Sequence, residues 1–101
     1  MINIKYDKSS LAKICVEYQI KKLSLFGSVV RDDFTDQSDV DVLLECRPNA
    51  RPTLITLSQI KRALKNIFND RPIDIVTING IKPLLKDSIL SEAVVQYDEV
   101  A

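Results

Sequence analysis

Two aspartates one residue apart stand at the head of an apolar run, Asp39-Val40-Asp41-Val42-Leu43. On a strand, alternate residues share a face, so the two carboxylates stand side by side. Aspartate is among the poorest strand formers, and a third, Asp74, interrupts the apolar run Ile73-Asp74-Ile75-Val76. Carboxylates packed together repel, and a bound cation makes such packing favourable. Upstream, Leu25-Phe26 ends at Gly27-Ser28, a turn whose backbone N–H groups offer an anion site at a helix start. The Ser28 hydroxyl adds one donor, and Arg31 on the same short helix is a bidentate phosphate donor. Oxygen ligands for a metal, facing donors for phosphates, are what a magnesium-nucleoside triphosphate needs.

Each signal has a plainer reading. Asp-x-Asp also marks a half-exposed strand, Gly-Ser an ordinary turn, and Arg31 an exposed helix residue. On spacing alone, metal site and plain strand stand level. No Gly-Lys-Ser/Thr follows Gly27, so this is not a P-loop. A chain with 2 glycines holds no dinucleotide fingerprint.

The elements that position these residues follow from periodicity. Leu11, Ile14, Cys15 and Tyr18 mark an amphipathic helix over residues 8–19, with Asp7, Ser9 or Ser10 as its cap. Leu23 to Phe26 reads as a strand, residues 28–33 as one or two helical turns, and Asp39 to about Glu45 as a second strand. Leu54, Leu57, Ile60, Leu64, Ile67 and Phe68 make a long helical stripe, broken by Asn69-Asp70-Arg71-Pro72. Ile73 to Thr77 is a third strand. Ile81, Leu84, Leu85 and Ile89 mark a last helix, with Pro83 in its first turn. The segment Ala93 to Tyr97 reads equally as continued helix or short strand. The long helix makes strands two and three a parallel crossover pair; the short link between strands one and two suits an antiparallel pair. The fold class is α/β (α+β), a small mixed sheet packed with helices, in a single domain over residues 1–101.

Composition narrows the function. Lys and Arg number 14 and Asp and Glu 14, so no basic excess supports strong nucleic-acid binding. No run approaches the ~20 apolar residues of a membrane span, and no secretory h-region opens the chain. Cys15 and Cys46 sit in apolar patterns and read as reduced, mostly buried thiols of a cytoplasmic protein. The absence of histidine removes Ser-His-Asp chemistry and the common zinc sites. It leaves a carboxylate, lysine, tyrosine or water as general base.

With Gly27-Ser28, Arg31, Ser38-Asp39-Val40-Asp41 and Asp74 in place, the chain resembles the minimal nucleotidyltransferase (MNT) family, of the DNA polymerase beta-like nucleotidyltransferase superfamily. The similarity runs along nearly the whole chain, including Arg51-Pro52-Thr53-Leu54 and Ile89-Leu90-Ser91-Glu92-Ala93-Val94-Val95. One departure is Asp32, followed by Asp33, where the family commonly has glycine; extra negative charge there bears on triphosphate affinity.

The resemblance implies a nucleotidyltransferase fold and in-line attack of a hydroxyl on the α-phosphorus of ATP. Asp39, Asp41 and Asp74 are then catalytic and hold two magnesium ions, and Gly27, Ser28, Arg31 and Ser38 bind the nucleotide. It further implies an antitoxin that transfers AMP to a tyrosine of a HEPN ribonuclease toxin, held in a hetero-oligomer with it. Two other functions stay open. One is a non-catalytic antitoxin that masks the toxin through the apolar stripes of its long and last helices. The other is a stand-alone enzyme adenylylating a small molecule, disfavoured because no second domain is left to bind one.

Overall fold

The computed structural model describes residues 2–100. Helix α1 (Lys8–Glu17) starts where the Asp7 carboxylate accepts from the Ser9 backbone N–H at 3.1 Å. It ends two residues earlier than the periodicity implied, because Gln19 takes a left-handed turn (φ 57°) into β1. Strand β1 (Ile20–Phe26) runs into a single 3₁₀ turn, Gly27–Val30, which is shorter than the one or two helical turns expected over residues 28–33. A loop leads to β2 (Val40–Cys46), and α2 (Leu54–Ile67) follows, capped by the Thr53 hydroxyl on the Thr56 N–H at 3.1 Å. Asn69 and Asp70, both with φ near 60°, close α2 and return the chain to β3 (Ile73–Thr77). Helix α3 (Pro83–Glu92) and β4 (Val94–Asp98) complete the order, so the ambiguous last segment is a strand.

The sheet order is β3-β2-β1-β4. Strand β2 pairs antiparallel with β1 and parallel with β3, as the link lengths required, and β4 pairs antiparallel with β1. Alternation divides the strands between two faces. Leu23, Leu25, Val40, Val42, Leu44 and Ile73 are buried beneath Leu11 and Cys15 of α1 and Ile60, Leu64 and Phe68 at the end of α2. The Tyr6 ring lies 4.8 Å from that of Phe68 and closes the core from the N-terminal segment.

The opposite face carries Ser24 and Leu43, both buried, with the half-buried Asp41 and Glu45, and Leu90 of α3 lines a cavity over it with Ser24, Leu43 and Glu45. No residue of α3 is buried. Leu84, expected in its apolar stripe, is 96% exposed, and Leu85 is 51% exposed. One face of the sheet therefore carries the core, and the other is accessible at the end where Asp39, Asp41 and Asp74 stand.

Candidate active site

The register brings the carboxylates together. In the parallel pair Asp41 of β2 is the direct partner of Asp74 of β3, and across β1 Asp41 is the partner of Phe26, the residue before Gly27. Asp41 and Asp74 thus lie side by side on adjacent strands, with Gly27, one residue past the end of β1, against the Asp41 side chain and Asp39 at the entry to β2. Asp39 and Asp74 are exposed and Asp41 is half-buried. Burial pushes the Asp41 carboxyl up to about 6, with the charges of Asp74 and Asp39 adding to it.

Gly27 is required by two separate constraints. Its φ is +75°, which side chains rarely adopt, and a Cβ on it would stand 2.1 Å from Asp41 Oδ2. The Asp41 carboxylate is therefore pressed against bare backbone. The N-terminal segment holds this turn: the Asn3 N–H donates to Val29 O (2.9 Å), and Asn3 Nδ2 donates to Arg31 O (2.5 Å).

Two residues of the site escaped the sequence reading. Glu92, the last residue of α3, accepts from the Gly27 backbone N–H through Oε1 at 2.6 Å and from Arg31 Nη1 through Oε2 at 2.8 Å. A carboxylate of this chain thus occupies the donors assigned to a phosphate. Arg31's hydrogen bond, with the Gly27 N–H, holds that carboxyl below its usual range. Arg31 also pairs with Asp33 at 3.2 Å.

The second residue is Arg71, which grips the loop before β2. Its Nη1 donates to Thr35 O (2.7 Å) and Ser38 O (3.0 Å), and its guanidinium lies 4.5 Å from the centre of the Phe34 ring. It thereby fixes the backbone leading into Asp39. Ser38, expected to bind nucleotide, uses its hydroxyl to accept from the Thr35 N–H at 2.9 Å and so shapes this loop.

No three Asp, Glu or Cys side chains converge tightly enough to hold a metal ion among the described residues. The donor chemistry nonetheless fits magnesium. The donors are all carboxylate oxygens, their charges disfavour one another, and magnesium ordinarily takes one or two protein carboxylates and completes its shell with phosphates and water.

Comparison with known proteins places the fold in a family. The sequence pattern of the nucleotidyltransferase domain matches residues 8–95. The chain belongs to the nucleotidyltransferase domain family. A relative from Methanocaldococcus jannaschii, provisionally named a protein adenylyltransferase, is 36% identical over 93 residues, or 92% of this chain and 97% of its own. A solved structure provisionally named a minimal nucleotidyltransferase is 28% identical with a TM-score of 0.71, covering 86% of each chain. Two toxin–antitoxin structures share the fold. One, with AMP-PNP, has a TM-score of 0.74 at 15% identity, covering 91% of this chain and 73% of the other. The second, a tri-AMPylated Shewanella oneidensis HEPN toxin with its MNT antitoxin, has 0.66 at 14%, covering 92% and 71%. The candidate site lies on the sheet face opposite α1 and α2.

Proposed function

We propose that this nucleotidyltransferase, one domain over residues 1–101, moves AMP from ATP to a tyrosine hydroxyl of a HEPN ribonuclease toxin in the cytoplasm. The single observation that best supports it is that Asp41 pairs with Asp74 across β2 and β3 while Gly27, just past the end of β1, lies against Asp41. Phosphate donors, a half-buried carboxylate and a proton acceptor then lie in the order in-line transfer uses. The printed descriptions of the relatives, a protein adenylyltransferase and an AMPylated toxin beside its antitoxin, support the acceptor class.

The Gly27 N–H and the Ser28 hydroxyl receive the β- and γ-phosphates, and Arg31 turns from Glu92 to support them. The acceptor oxygen attacks the α-phosphorus, the α–β phosphoanhydride bond breaks, and pyrophosphate leaves. Asp74, exposed at the sheet edge, takes the hydroxyl proton, a role no histidine is present to fill. Asp39 and Asp41 would hold one magnesium, and a second, shared with Asp74, would draw the three carboxylates closer than they stand here; the metal would neutralise phosphate charge and lower the pKa of the attacking hydroxyl. The chain's own share is positioning: Gly27 fixes Asp41, and Arg71 fixes Asp39.

ATP labelled at the α-phosphorus tests this. Label is expected on the toxin, with γ-label released as pyrophosphate. Label retained from the γ-position would contradict nucleotidyl transfer.

A second reading has its own observation. Leu84, Leu85, Leu90, Val94 and Val95 are exposed on α3 and β4, an apolar strip fit to cover a partner without chemistry. An Asp39/Asp41 double variant that still silences the toxin would favour masking.

A further inference from the structure

Beside the carboxylates, between the outer edge of β3 and the solvent flank of α2, runs an open groove of ≈ 490 Å³. Asp39, Pro72, Ile73 and Asp74 form one wall, and Ser58, Lys61, Arg62 and Lys65 form the other. The helical residues are spaced i, i+3, i+4 and i+7, so they make one continuous stripe. It flanks the buried Ile60 and Leu64 of the same helix.

Among the described residues the ion pairs use Lys21, Lys22, Arg31, Arg47 and Arg71; none uses Lys61, Arg62 or Lys65. Three unpaired cations therefore face two carboxylates across an open space. Strand β3 is also an edge strand, so its outer backbone groups have no sheet partner there.

We propose that this groove is the docking site of the acceptor segment, and that the segment is an acidic stretch of polypeptide carrying the hydroxyl to Asp74. The inference rests on the nucleotidyl-transfer reading and names the surface that reading lacks. In-line displacement brings the nucleophile from the side opposite the leaving group. The leaving pyrophosphate belongs at Gly27, on the β1 side of Asp41, so the acceptor enters from the β3 side, where the groove lies. Its sign pattern selects the ligand class. A uniform polyanion such as RNA would meet Asp39 and Asp74 as well as the cations, and the chain has no net positive charge to attract one. A peptide bearing a few carboxylates around one neutral hydroxyl places its acids on the α2 stripe and its hydroxyl at Asp74.

The test uses three fluorescent probes: a peptide with one tyrosine flanked by glutamates, the same peptide with glutamines, and an oligouridylate. Binding is followed by anisotropy, and adenylate transfer by mass. The glutamate peptide is expected to bind about tenfold more tightly than the glutamine peptide, the size of a few exposed ion pairs acting together. Raising salt to about 0.5 M should erase the difference. The Lys61→Glu/Lys65→Glu variant, altered only at exposed positions, should erase it too while ATP binding is unchanged.

Equal binding of both peptides, a preference that survives in the variant, or tighter binding of the oligouridylate would each overturn the assignment. Transfer separates the two layers. A variant-sensitive preference without transfer keeps the groove and removes the nucleotidyl-transfer reading. Equal binding of, and transfer to, both peptides keeps that reading and removes the groove.

Discussion

Replacing Gly27 by alanine puts a methyl group 2.1 Å from Asp41 Oδ2 and 3.0 Å from its Cγ, on a backbone with φ +75°. Two consequences separate cleanly. The positive φ costs a non-glycine residue about 1–3 kcal/mol, a fall in melting temperature on the order of 5–15 °C for a chain this size. The contact cannot be absorbed by backbone shifts alone, since β1 and β2 are paired at that point. The Asp41 carboxylate must instead retreat by roughly 1 Å, a displacement that costs a positioned group about a hundredfold in rate. Circular dichroism melts and adenylate transfer measured below the variant's melting range would report the two effects independently. Gly80→Ala is the control: its Cβ would meet only the Thr77 Oγ1 at 2.9 Å, a rotatable hydroxyl, at no special φ. A folded Gly27→Ala protein transferring within about threefold of wild type, well inside the hundredfold estimate, would refute the coupling between this glycine and Asp41.

Further outcomes follow from the same geometry. Asp41's folded pKa is raised to about 6, so its stabilising contribution is complete below its ordinary value of 3.8 and is lost as pH rises through about 6. In metal-free buffer Asp41→Asn should then be more stable than wild type at pH 7, the difference closing by about pH 4; urea titrations at both pH values check this, and equal stabilities at pH 7 would contradict it. Glu92→Ala frees the Gly27 N–H and Arg31, so ATP should bind several-fold more tightly by calorimetry; weaker binding would mean that Glu92 supports the nest rather than competing for it. Arg71→Ala removes two hydrogen bonds and the Phe34 contact, at about 1–3 kcal/mol. It should also raise hydrogen exchange in the loop of residues 34–38, and unchanged exchange would show that Arg71 does not hold that loop.

The strands and their pairing were legible because the cues were local. An apolar run ending at Gly27, a short polar link and a long amphipathic helix each constrain topology within a few dozen residues. Those constraints suffice to align Asp41 with Asp74. Glu92 was not legible, because it meets Gly27 from 65 positions away through the return of α3 into β4, a segment whose pattern suited helix and strand equally. Arg71 lay inside a helix-breaking sequence, where Pro72 and the two left-handed residues before it dominate the pattern and hide a side-chain clamp. The α3 stripe misled in another way. Helical spacing of Leu84 and Leu85 reports an apolar face, but not whether this chain or a partner covers it. Ser38 stands next to Asp39, and its hydroxyl closes its own loop by accepting from the Thr35 N–H, a local bond that spacing does not reveal.

The central claim is nucleotidyl transfer at Asp41. The most direct measurement is the intact mass of the proposed HEPN toxin partner after incubation with this chain, ATP and magnesium, with Asp41→Asn alongside. Mass gains in whole adenylate units, absent with the variant, are the expected result. An unchanged mass, with the toxin bound and silenced by both proteins, would contradict the claim and leave a masking antitoxin on a nucleotidyltransferase fold.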